Sequence, residues 1–152
     1  MLKWLRRAPR SAPAATRGSI EIHRPWARQA VRMPERAGGF CTLANKGTEP
    51  DRLVAASSPA AGKIEIHAIK VVGGGISMCP REQGLTLPAG VTLTLQPRGY
   101  HLLLIDLAAP LIPGARLAVT LVFEKAGVID VEFLVEARGP VGEEVLEEGQ
   151  RG

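Results

Sequence analysis

The sequence predicts an all-β domain, a sandwich or barrel, on three observations. Apolar and polar residues alternate in runs of four to eight. Turn signals built on Gly, Pro and Asn recur at about 8–12 residues. No segment has a convincing 3.6-residue apolar stripe. With 152 residues the chain is expected to hold one domain with ragged ends. Hydrophobic residues make up 45%, enough for a real core, and the 17 glycines and 12 prolines suit many short strands.

Residues 1–18 read as a basic tail, with Arg6, Arg7, Arg10 and Arg17, and Ser11–Gly18 as a linker of small residues. Ser19–His23 alternates as a first strand, and Pro25 interrupts the ladder after it. Residues 29–37 form an Arg-rich loop. Gly38–Asn45 is a strand closed by the Asn45-Lys46-Gly47 turn. Strands follow at Arg52–Ala56 and, after Pro59–Gly62, at Lys63–Ile69. The triple glycine 73–75 leads into Ile76–Cys79. Leu85–Leu87 and Val91–Leu95 flank the Pro88-Ala89-Gly90 turn, and Pro97–Gly99 turns into Tyr100–Leu104. The last strands are Leu117–Phe123 and Ile129–Val135, joined through Lys125-Ala126-Gly127. From Arg138 the chain is rich in Gly and Glu. The expected organisation is therefore a tail at 1–18, a domain at 19–137 and a second tail at 138–152.

The net charge is +4, much of it in the first 18 residues. No basic stripe interleaved with aromatics exists, so a nucleic-acid partner is not expected. No apolar run reaches the ~20 residues of a membrane span. Met1–Arg10 has a basic start without the continuous apolar stretch of a signal peptide, so the N-terminus does not read as an export signal and leaves a cytoplasmic location open. The two cysteines, Cys41 and Cys79, read as small hydrophobes ahead of a disulfide pair.

Chemistry concentrates in a sparse set of soft and borderline ligands. The chain has three histidines and three methionines. His67 ends the alternation Ile64-Glu65-Ile66-His67, Met78 sits in the next strand, and His101 opens a third. Imidazole with thioether is copper chemistry, above all Cu(I), with Cu(II) the other state to consider. Alternation puts Ile64, Ile66 and Ala68 on the core face and Glu65 and His67 on the other. The three ligands lie beside glycine turns, so they are expected at strand ends, converging on one accessible rim where loops gather. Alternatively, each is ordinary: Met78 a core filler and the histidines surface residues. His23 reads as a surface histidine, and Trp26 as an anchor of the core or the sandwich edge. There is no HExxH, GxSxG or P-loop, and Asp51, Asp106 and Glu124 lack an evident nucleophile or base, so an enzyme is not expected.

From Ile20 to Val135 the chain resembles the PCuAC periplasmic copper chaperones. The resemblance is carried by Pro25-Trp26-Ala27-Arg28, Asn45-Lys46-Gly47, Asp51-Arg52-Leu53-Val54, Ser57–Gly62, Glu65-Ile66-His67, Leu87–Gly90, Gly99-Tyr100-His101-Leu102 and Phe123–Gly127. It implies a cupredoxin-like Greek-key sandwich or barrel that binds Cu(I) at a surface His/Met site. It also implies delivery to an acceptor protein, the copper-centre subunit of cytochrome c oxidase or another copper chaperone, in the periplasm. The family pattern runs His, ten residues, Met, about twenty-one residues, His-x-Met. Ten residues separate His67 from Met78, and 22 separate Met78 from His101. Two positions depart: the final Met is Leu103, and Ala68 stands where a Met often follows the first His. Metal ligands are thus expected at His67, Met78 and His101, with one thioether missing. The alternative function is a scaffold or non-metal binding module with a degenerate copper site.

Overall fold

A computed structural model describes residues 12–139 apart from 73, 74, 81, 82 and 98, with backbone alone at 69–72 and 75–80. Every regular element among them is a strand: β1 (Ala15–Arg17), β2 (Ile20–Gln29), β3 (Ala37–Asn45), β4 (Asp51–Ser57), β5 (Ala61–Val72), β6 (Gly75–Pro80), β7 (Leu85–Leu87), β8 (Thr92–Thr94), β9 (His101–Leu107), β10 (Arg116–Phe123) and β11 (Gly127–Glu136). They form one sheet in the order β6-β5-β9-β3-β2-β11-β10-β4-β7, with β1 on β2 and β8 on β3. The β11–β2 pair is parallel and the others antiparallel. Because β4 also packs on β5, the sheet wraps into a nearly closed, cupredoxin-like barrel.

The period-2 pattern fills the barrel. Leu117, Val119, Leu121 and Phe123 of β10 and Ile129, Val131, Phe133 and Val135 of β11 are all buried. They meet Ile20, Ile22, Leu43, Leu53, Ile66, Leu102 and Leu104 in one core. Burying each such side chain stabilises by about 1.5–3 kcal/mol. The β10–β11 turn is pinned by Asp51. Its Oδ1 accepts the Arg52 and Lys125 N–H groups at 2.7 and 2.8 Å, and its Oδ2 accepts that of Ala126 at 3.0 Å. At Gly84, with φ +82°, a Cβ would run into the Leu53 carbonyl, so the entry to β7 admits only glycine.

Strand β2 changes phase halfway along. Ile22 faces Leu43 and His23 faces Thr42, but the next pair is Trp26 with Phe40. Three residues on β2 thus span two on β3, a β-bulge, with Arg24 at φ 53°. Pro25 lies in this gap, where no N–H is needed for a ladder. The bulge turns Ala27 inward and Trp26 outward. Strand β1 falls within the stretch expected to be a linker; Ala14 N–H also bonds the Ile22 carbonyl at 2.7 Å.

Candidate metal centre

Strands β5 and β9 pair so that His67 lies directly opposite His101. Their ring centroids are 5.4 Å apart, at 43° to one another. Both rings point away from the barrel core, because Ile66 and Leu102 take the inner face. They continue a row across the outer face. Trp26 and Phe40 stack with centroids 4.4 Å apart, and Phe40 lies 6.3 Å from His101. Ala30 and Met33, at the β2–β3 loop, pack on Phe40. The outer face therefore carries its own small apolar cluster, and the histidines sit within it: His67 is 3% exposed and His101 0%. This corrects the expected placement. His67 is in the middle of β5 rather than at its end, and both rings are buried rather than set on an accessible rim.

Each ring has one nitrogen tied and one without a hydrogen-bond partner. His101 Nδ1 bonds the Gly99 carbonyl at 2.9 Å, and its Nε2 is buried and unpartnered. His67 Nε2 bonds Glu65 Oε1 at 2.9 Å, and its Nδ1 is buried and unpartnered. Glu65 Oε2 also contacts Lys63 Nζ at 3.0 Å. Burial lowers the His101 pKa, and the nearby His67 acts in the same sense, against the Gly99 carbonyl. The Glu65 carboxyl is held below its ordinary value, first by its hydrogen bond with His67 and then by Lys63. A neutral imidazole whose other N–H is anchored on a carbonyl or carboxylate is how proteins present histidine to a metal. A buried polar atom without a partner costs free energy, and a bound ion would remove that cost.

The third expected ligand, Met78, is placed by its backbone alone. On β6 it is opposite Ile69, and Pro80 is opposite His67, so Met78 has the same ladder parity as His67. Its side chain lies outside the described residues, as does that of Cys79, which is opposite Ala68 and has the other parity. Leu103, where the family pattern has a sulfur, is buried, faces Gly38 on one side and Glu65 on the other, and shares the parity of His101. Among the described residues no group of three His, Cys, Asp or Glu side chains is placed to hold a metal. Cys41 is a free, buried core thiol whose pKa burial pushes up to about 12, which leaves it inert. Asp51 is occupied by the backbone bonds described above.

Two participants are missed by reading the sequence alone: Glu65 and Phe40. The signal for Glu65 is the Glu-x-His spacing, which in a strand puts both side chains on one face. Ile20-Glu21-Ile22-His23 repeats it, and His23 Nε2 also bonds Glu21 Oε1 at 2.9 Å. That copy faces Thr42 instead of a second histidine, so His23 stands apart from the centre.

This fold and this histidine pair define a PCuAC-type domain. The domain of the structure "Copper-bound PCuAC domain from PmoF2" is 30% identical, with a TM-score of 0.68 over 80% of this chain and 96% of that one. "Solution structure of CuI-DR1885 from Deinococcus radiodurans" gives 26% identity and a TM-score of 0.61 over 85% of each chain. The family model described as "Putative lipoprotein LpqE-like" matches residues 20–135. "Putative lipoprotein Lxx21020" of Leifsonia xyli subsp. xyli (strain CTCB07) is 31% identical over 116 residues, 76% of this chain and 69% of that protein. The chain belongs to the LpqE-like family.

Proposed function

We propose that this protein is a metallochaperone that binds Cu(I) through His67, His101 and Met78 and hands it to an acceptor protein outside the cytoplasm. One observation carries the reading: two buried imidazoles face each other across β5 and β9, each with one unpartnered nitrogen. Two such nitrogens and a thioether make a low-coordinate soft site, which suits Cu(I) better than Cu(II) or zinc. The copper-bound PmoF2 domain and the CuI form of DR1885 support copper as the cargo. The lipoprotein descriptions of the family and of the Leifsonia protein support an extracytoplasmic location. Among the described residues no helix is long and apolar enough to cross a membrane. Fold and family speak for a binding module rather than an enzyme. The acceptor is the copper-centre subunit of cytochrome c oxidase or another copper chaperone.

The test is a Cu(I) titration against a chromophoric competitor, with His67→Ala and Met78→Ala alongside. Stoichiometric binding by the parent and its loss in both variants is expected. Transfer from the loaded protein to an apo copper-centre domain, followed by that domain's absorbance, tests delivery. Leu103 favours a second reading, a scaffold module whose site has lost its metal. Failure of the parent to compete at micromolar concentration would select that reading.

A further inference from the structure

We infer that Glu65 is a positioning residue that fixes which nitrogen of His67 takes the metal. The two histidines then ligate through different nitrogens, Nδ1 of His67 and Nε2 of His101. The inference rests on the copper reading above and deepens it.

The two rings are related by a directly opposed pair on an antiparallel ladder. With equivalent surroundings they would present equivalent nitrogens. Their surroundings differ in one respect. Each ring is held by a group two residues before it in the chain, but by a different part of that residue. For His101 it is the main-chain carbonyl of Gly99, which lies near the ring's attachment point and meets the near nitrogen, Nδ1, at 2.9 Å. For His67 it is the side chain of Glu65, which extends alongside the ring and meets the far nitrogen, Nε2, at 2.9 Å. A carbonyl oxygen and an ionised carboxylate only accept hydrogen bonds. The tied nitrogen must therefore carry the proton in each ring, and the lone pair falls on the other. Those other atoms, His67 Nδ1 and His101 Nε2, are the two buried imidazole nitrogens without partners.

Glu65 does more than orient. Two neutral imidazoles and thioether sulfur bring no charge, so a bound Cu(I) adds one positive charge beside rings 3% and 0% exposed. Glu65, one hydrogen bond from the His67 ligand, supplies the compensating negative charge. Its second oxygen is tethered to Lys63 at 3.0 Å, so the carboxylate is oriented before the ion arrives. The Glu21–His23 pair, with the same spacing and the same 2.9 Å bond but no opposing histidine, is a built-in control.

The experiment is nitrogen-15 NMR of histidine-labelled full-length protein, metal-free and loaded with Cu(I), with Glu65→Ala, Glu65→Gln and Glu21→Ala. In the metal-free parent, His67 is expected as the Nε2–H tautomer and His101 as the Nδ1–H tautomer. On loading, coordination shifts should appear at His67 Nδ1 and His101 Nε2. Glu65→Ala should leave His67 as a mixture of tautomers and weaken Cu(I) binding about 10- to 100-fold. Glu65→Gln, which keeps an acceptor and removes the charge, should retain the tautomer and lose part of the affinity. Glu21→Ala should change neither. Ligation by His67 Nε2, a metal-free parent with His67 protonated at Nδ1, or Glu65→Ala with parental tautomer and affinity would each overturn the inference. If the parent takes up no Cu(I), the proposed cargo fails. The metal-free tautomers then still decide whether Glu65 orders the ring.

Discussion

Replacing His101 by leucine should remove metal binding without destabilising the fold, the opposite of what a fully buried polar residue usually does when lost. The magnitude follows from two terms. His101 is 0% exposed and its Nε2 has no partner, a desolvation cost of about 1–3 kcal/mol in the metal-free protein. Leucine eliminates that cost. It also deletes the bond from Nδ1 to the Gly99 carbonyl, worth about 0.5–1.5 kcal/mol. Gly99 is only half-buried, so water can serve its carbonyl in the variant. Leucine is close to imidazole in size and keeps the contact with Phe40, so no large cavity forms. The balance is about zero to 2 kcal/mol in favour of the variant by these terms. In a chain of this length 1 kcal/mol moves Tm by about 2–4 °C, giving a rise of up to about 8 °C. Circular dichroism melting in chelator-treated buffer measures it, with a Cu(I) competition titration in parallel. A fall in Tm of more than about 3 °C would refute the reasoning. It would mean that Nε2 is well satisfied in the metal-free protein and that the site is not held in tension for a ligand.

Leu103→Met should raise Cu(I) affinity at least about tenfold, or about 1.4 kcal/mol, by placing a thioether on the parity of His101. Volume is nearly conserved, so melting should shift by less than about 1.5 kcal/mol equivalent. Unchanged affinity in the competition titration would mean that this position does not face the metal. Cys41 should resist iodoacetamide in the folded protein at pH 8 and react in denaturant, as read by peptide mass mapping. Its folded pKa of about 12 lies above the ordinary thiol value of 9.0. The stability it contributes is therefore complete below pH 9 and is lost as pH rises toward 12, at about 1.4 kcal/mol per unit. Urea unfolding from pH 8 to 11 should show that decline, and Cys41→Ala should flatten it. Asp51→Ala removes the acceptor of three backbone N–H groups and should cost roughly 3 kcal/mol. A Tm fall of about 6–12 °C with Cu(I) affinity intact is expected, since Asp51 shares no contact with the histidine row.

The strands were legible where one face is core and the other solvent. Leu117–Phe123 and Ile129–Val135 alternate cleanly because they line the barrel, and the structure has strands there. β1 was not legible: its three residues are mostly exposed and it is held to β2 by backbone pairing, which leaves no side-chain pattern. Local alternation correctly turned His67 away from Ile66. It equated the second face with solvent, and that fails where Trp26, Phe40 and Leu103 make the outer face apolar as well. The pairing of His67 with His101 is a property of the ladder between strands far apart in the chain, which no local window contains. Likewise Asp51 and the Lys125-Ala126 turn stood out separately in the sequence, and only the fold joins them through hydrogen bonds.

The irregularity at Arg24–Pro25 has a consequence for how this chain tolerates change in length. An extended strand is a wave of two residues, and the extra residue there is a half-period slip. Before it, Ile20 and Ile22 are the inward crests; after it, Ala27 is inward and Trp26 outward. A regular ladder through Arg24 and Pro25 at the present length would give Trp26 the parity of Ile22 and drive an indole toward the barrel interior. It would also take from Phe40 the ring it stacks on, and Phe40 is the next neighbour of His101 in the row. Deleting one residue between His23 and Trp26 instead closes the bulge with both faces preserved, so a one-residue deletion is tolerated here as it would not be in a regular stretch of strand. The slip, more than the identity of the residues in it, decides which side of the sheet has a floor for the metal.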